Sequence, residues 1–151
     1  MLKSPLFVLF CLLPLCASAL AADRTSQVFT GLGTALVATY SSSDSTNVTS
    51  GYYCSHYDRL LVYVSVDSVG GSNAAVAVYV DYSPDGTDYY PLSERVGNTD
   101  STVTFKYKIH AVGSYALPFP NAGKFFRARI EKTSGTSTAV RVTDCVIEAK
   151  S

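Results

Sequence analysis

Apolar and polar residues alternate with a period of two over three long stretches of this chain. That pattern puts every second side chain on one face of a strand and is one a helix cannot use. Arg59 to Asp67 sets Leu60, Val62, Val64 and Val66 against Leu61, Tyr63 and Ser65, so both faces are partly apolar and a central strand is predicted. Thr102 to His110 carries Val103, Phe105, Tyr107 and Ile109 between Thr102, Thr104, Lys106, Lys108 and His110, a strand with one wet face. Phe125 to Lys132 alternates Phe126, Ala128 and Ile130 with Arg127, Arg129 and Glu131. No helical period follows residue 22, so the reading is all-β.

Turn residues punctuate these runs. Ala74 to Tyr82, with Val76, Val78, Val80 and Tyr82 on one face, follows Gly70-Gly71-Ser72-Asn73 and is expected to form a hairpin with the strand before it. Ser83-Pro84-Asp85-Gly86 has Pro where a turn fixes φ and Gly where the chain turns left-handed, which predicts a second hairpin into a short strand at Thr87 to Leu92. Thr133-Ser134-Gly135-Thr136 predicts a third, into Ala139 to Ala149. In that last strand Val140 and Val142 have one parity and Cys145 and Ile147 the other, so a β-bulge is expected near Thr143 or Asp144. Thr34 to Tyr40 reads as an early strand, Ser41 to Ser50 as a polar loop, and Tyr115 to Gly123, with Pro118 and Pro120, as a long irregular connection. The sum is an antiparallel β-sandwich of seven to eight strands, with jelly-roll and immunoglobulin-like topologies both open. The lack of any Trp and the late position of Cys145 disfavour a true immunoglobulin domain.

Residues 1–22 read as a signal peptide: Lys3 is positive, Leu6 to Leu15 is apolar but too short to span a bilayer, and Ala17-Ser18-Ala19 and Ala19-Leu20-Ala21 suit a signal peptidase. Residues 23–151 are then a single β-sandwich domain, secreted or extracellular/periplasmic, with no membrane insertion after cleavage. Cys11 and Cys16 leave with the leader, and the remaining pair, Cys54 and Cys145, is expected to form one disulfide in an oxidising compartment. A lipid-modified Cys16 is the competing reading, opposed by Leu15 where a small residue belongs. Once Lys3 is removed, eleven basic side chains face twelve acidic ones, a balance that offers no basic stripe and argues against nucleic acid as a partner.

No catalytic constellation stands out, and the chain is read as not an enzyme, with no cofactor. His56 and His110 lack ligand spacing and a neighbouring nucleophile motif. Asp81, Ser83, Asp85 and Gly86 resemble the first half of a calcium loop, and Asp81, Asp85 and Asp88 are the weak calcium candidate; Leu92 stands where the bidentate Glu would be, and a plain turn is preferred. Tyrosine is overused, with eleven in all. Tyr52, Tyr53 and Tyr57 form one cluster and Tyr89 and Tyr90 another, suited to stacking on sugars or anchoring an interface, although strands favour Tyr in any case. Asn47-Val48-Thr49 is a glycan acceptor triplet. Residues 27–40 could pair within the domain or be donated to a neighbour's open edge.

The stretches Tyr57-Asp58-Arg59-Leu60-Leu61-Val62-Tyr63-Val64, Val76-Ala77-Val78-Tyr79-Val80-Asp81-Tyr82-Ser83-Pro84-Asp85-Gly86 and Phe125-Phe126-Arg127-Ala128-Arg129-Ile130 resemble small β-sandwich modules of phage virion proteins and bacterial surface proteins. The resemblance implies a structural, attachment or assembly role. The leading expectation is a secreted or cell-surface structural or adhesive subunit that self-associates into a filament or matrix, or binds other surface proteins. The alternative is a non-catalytic carbohydrate-binding module using exposed Tyr rings on glycans.

Overall fold

A computed structural model describes residues 26–41, 45–71, 73–95, 102–134 and 138–151. The leader and the turn residues Gly135 and Thr136 lie outside the described residues. The strands are β1 (Ser26–Val28), β2 (Thr39–Tyr40), β3 (Thr46–Val48), β4 (Tyr52–Tyr53), β5 (Arg59–Val69), β6 (Ala75–Ser83), β7 (Tyr90–Pro91), β8 (Ser93–Arg95), β9 (Thr102–Thr104), β10 (Tyr107–Ile109), β11 (Gly113–Pro120), β12 (Phe125–Ser134) and β13 (Val140–Lys150). They form two antiparallel sheets, as the alternation predicts. In the first, β1 and β2 share one edge of β13, followed by β5 and then β11; in the second, β3 and β4 share one edge of β12, followed by β6, whose far edge carries β7 and β10. A separate hairpin joins β8 to β9. The strands outnumber the expected seven to eight because three sheet positions are each filled by two short pieces and because β8 and β9 pair outside both sheets.

The core lies between the sheets. Leu60, Val62, Val64 and Val66 of β5, with Phe119 and Ile147, face Val76, Val78 and Val80 of β6 and Phe126, Ala128 and Ile130 of β12. Each such side chain contributes about 1.5–3 kcal/mol by leaving water. The expected bulge is present: Val142 pairs with Val66 and Asp144 with Ser65, which leaves Thr143 as the extra residue. Val140 and Val142 on one side of it and Cys145, Ile147 and Ala149 on the other are thereby all turned inward.

Several expectations are corrected. β5 and β6 do not form a hairpin, and neither do β12 and β13, because each pair crosses from one sheet to the other. A period of two fixes which face is apolar but not which layer a strand joins; β13 and β11 already hold both edges of β5. Only the turn after β6 closes a hairpin as predicted, pairing Tyr82 with Tyr90. The run from Thr102 to His110 breaks at Phe105–Lys106, where the chain leaves its partner β8 and joins β6. Tyr115 to Gly123 is not irregular up to Pro120. Pro118 and Pro120 sit in edge strand β11, their carbonyls turned outward to accept the hydroxyls of Tyr107 and Tyr82, so a missing N–H costs no ladder bond.

The early segment also differs from a plain strand. Leu32–Leu36 is a 3-10 turn, with Thr34 Oγ1 donating to Gly31 O at 2.6 Å, and only Thr39–Tyr40 pairs in a sheet. Gly33 lies so close to β13 that a Cβ would fall 1.9 Å from the Cys145 carbonyl oxygen. Within residues 27–40 the strand pieces pair at home, on β13. The triplet at Asn47 lies in β3 instead of a loop, and the Thr49 hydroxyl is buried, accepting from Ala128 N–H and donating to Ser50 O.

The expected disulfide is absent: Cys54 and Cys145 are buried free thiols. Cys145 pairs with Val64 in the middle of the first sheet, whereas Cys54 bonds Lys124 and Asn121 at the end where β11 turns into β12. Some four to five residue steps separate these levels, roughly 15 Å along the strands, and a bridge requires Cα atoms within about 7 Å.

Candidate functional site

One end of the sandwich gathers the β6–β7 turn, the β11–β12 connection and the turn after β4. Each wall has a local reason for its shape. In the β6–β7 turn Gly86 takes φ +83°, which favours Gly. Ser83 Oγ accepts from Gly86 N–H at 2.8 Å and donates to Asp85 Oδ1 at 2.9 Å, and Asp85 Oδ1 accepts from Thr87 N–H at 2.8 Å. The Thr87 amide, then the Ser83 hydroxyl and the Asp88 amide, hold the Asp85 carboxyl below the usual carboxylate range.

The opposite wall is built on Asn121, whose Nδ2 donates to Tyr57 O at 2.7 Å and Cys54 O at 3.0 Å while Oδ1 accepts from Gly123 N–H at 3.2 Å. The Cys54 thiol lies 3.4 Å from the same Oδ1, and burial pushes its pKa up to about 11. Burial likewise pushes Cys145 up to about 12 and raises the Tyr82 hydroxyl above its ordinary value. Both thiols are therefore protonated and inert at neutral pH.

Between the walls lies an open groove of about 640 Å³ lined by Tyr82, Tyr90, Pro91, Leu92, Ser55 and Lys124, among others. Among the described residues Tyr90 is the most exposed tyrosine or phenylalanine ring, at 62%. Tyr53, at 48%, stands just outside, edge-on to Phe125 and His56 with centroids 5.3 and 5.5 Å away.

The five tyrosines singled out in the sequence thus separate. Tyr90 lines the groove and Tyr53 stands beside it. Tyr52 is half-exposed but turned to the other side of its strand, edge-on to Phe29 at 4.7 Å. Tyr57 is buried with its hydroxyl on Gln27 Oε1 at 2.6 Å, and Tyr89 lies under the Arg127 guanidinium at 4.6 Å. Sequence reasoning missed Asn121, Ser55, Lys124 and Leu92: Asn121 lay in a stretch read as irregular, Leu92 closed a short strand, and no local pattern marks any of the four.

The calcium candidate is not assembled. Asp81 faces the outside of the second sheet, bonded to Arg127 Nε at 3.1 Å and Arg129 Nε at 3.3 Å, while the Asp85 carboxylate is spent on its own turn. Among the described residues no three His, Cys, Asp or Glu side chains converge as metal ligands, and neither His56 nor His110 is hydrogen-bonded to a carboxylate. No protein-family model matches the chain, and no curated protein matches it in sequence.

Proposed function

We propose that this chain is an exported, non-catalytic adhesive module of jelly-roll topology that recognises saccharides in the Tyr90 groove. The topology rests on strand order. The first sheet runs β1/β2, β13, β5, β11 and the second β3/β4, β12, β6, β7/β10, and every connection between these eight positions changes sheet except that from β6 to β10. Two interleaved Greek keys have that order, whereas an immunoglobulin sandwich keeps several consecutive strands in one sheet. Jelly rolls serve both as lectin and as capsid domains, so the fold admits either role and the site must choose.

The observation that carries the saccharide reading is the exposed Tyr90 ring set beside Pro91 and Leu92 in a groove that also presents Ser55 and Lys124. A flat ring with a polar tip covers the apolar face of a pyranose, and the hydroxyls and ammonium at the rim suit its polar edge. Export rests on the leader read from residues 1–22. A glycan array probed with the protein and with its Tyr90→Ala variant tests the proposal: saturable binding lost in the variant supports it, and binding of equal strength by both overturns it.

A structural subunit that self-associates is the second reading, favoured by one surface. On the outside of the first sheet Leu61, Tyr63 and Val146 are half-buried and Ala116, Pro118 and Val28 exposed, an apolar area interrupted by Glu148, which accepts from the Tyr63 hydroxyl and pairs with Lys150. Size exclusion across a hundredfold range of concentration, with electron microscopy of the top sample, separates the two readings. A constant monomer favours recognition, and growing particles favour assembly.

A further inference from the structure

Lys124 is the charged side chain that lines the groove, and it is exposed. Among the described residues no carboxylate pairs with it. On the facing wall the Asp85 carboxylate is held by Ser83, Thr87 and Asp88 within its own turn. A cation left unneutralised beside an exposed aromatic ring gives the groove two kinds of contact, an apolar platform and a single positive pole at its rim. A neutral sugar would meet that pole with uncharged hydroxyl oxygens only.

We propose that the ligand is an acidic saccharide, a pyranose bearing a carboxylate or sulfate, stacked on Tyr90 with its anionic group on Lys124 Nζ. This rests on the saccharide reading above. A charge-assisted N–H···O bond is roughly twice as strong as a neutral one. The same arrangement favours acidic over neutral sugars, because a neutral sugar offers the ammonium only uncharged hydroxyl oxygens, weaker acceptors than a carboxylate or sulfate.

The test is calorimetric titration of the protein with three probes of equal length: a polygalacturonate tetrasaccharide, its neutral galactose counterpart and a sulfated galactan tetrasaccharide. An acidic probe should bind at low salt and weaken as salt rises. Lys124→Gln should reduce that affinity on the order of tenfold, Lys124→Arg should retain it, and Lys108→Gln, on the outer face of the second sheet, should leave it unchanged. Preference between the uronate and the sulfate identifies the anionic group. Equal binding of neutral and acidic probes, with Lys124→Gln altering neither, overturns the charge inference while leaving the saccharide reading standing. Binding of none of the three, nor of any glycan on the array, overturns both. Lys124 is exposed, so unchanged melting of Lys124→Gln is expected and rules out misfolding as the cause of a loss.

Discussion

β5 and β6 have the same alternating rows of apolar residues and both lie in the interior of their sheets, yet they are buried differently. β5 alternates between buried inner positions and half-exposed or exposed outer ones. β6 is buried at every position from Ala75 to Ser83. The outer face of β6 is covered by long side chains from its neighbours instead of by a third layer. Arg129 lies 4.1 Å and Lys106 5.6 Å from the Tyr79 ring centroid, while Arg127 and Arg129 both hold the Asp81 carboxylate. The arginines that alternate with Phe126, Ala128 and Ile130 in the sequence are thus the cover of the neighbouring strand, their stems laid over it and their charges spent on Asp81 and on aromatic rings.

Truncating the covered ring should show this most clearly. Tyr79→Ala should cost about 3 kcal/mol in urea unfolding, because a buried aromatic and two cation contacts go together, whereas Tyr63→Ala on the outer face of β5 should cost about 1 kcal/mol. Equal losses would break the comparison. Asp81→Ala should cost about 2 kcal/mol. That lies below the range for a fully buried ion pair, since Arg127 and Arg129 keep 33% and 20% of their side-chain surface and can turn to water. Glu148→Ala, on the outside of the first sheet, should stay under about 1 kcal/mol.

The thiols extend the contrast inward. Cys145→Ser places a hydroxyl among apolar neighbours and should cost about 1–2 kcal/mol, whereas Cys54→Ser should cost less than about 1 kcal/mol, because a hydroxyl can donate to Asn121 Oδ1 as the thiol does. Intact-mass measurement after alkylation should find both cysteines modified in denaturant without reductant and neither modified in the native state.

The smallest effect concerns pH. The Asp85 carboxyl is depressed in the folded state, so its contribution is fully present above the ordinary carboxylate range and is lost as pH falls through the depressed value. Asp85→Asn should therefore lower stability at pH 7 and flatten the decline between pH 5 and pH 2; an unchanged acid slope would contradict that role for the turn.

Much of this fold was legible in the sequence wherever the signal was local. The inner row of β5, the turn at Ser83 to Gly86 and the bulge at Thr143 each follow from parity or from turn chemistry within a few residues. The groove was legible only in part. Tyr90 and Tyr53 were singled out for being tyrosines, but nothing local distinguished them from Tyr57 and Tyr89, which packing covers. Asn121 and Lys124 follow two prolines in a stretch that read as featureless.

The sequence by itself determined that the chain is pleated sheet, which face of each long strand is apolar and where it turns, because side-chain parity and the φ preferences of Pro and Gly act over a few residues. Tertiary structure alone decided that β5 and β6 lie in opposite layers, that Cys54 and Cys145 are too far apart to bridge, that the second sheet's outer face is roofed by arginines, and that Tyr90 and Lys124 share a groove. Those outcomes depend on which strands win each edge in competition with all the others, and residues far apart in the chain settle that competition.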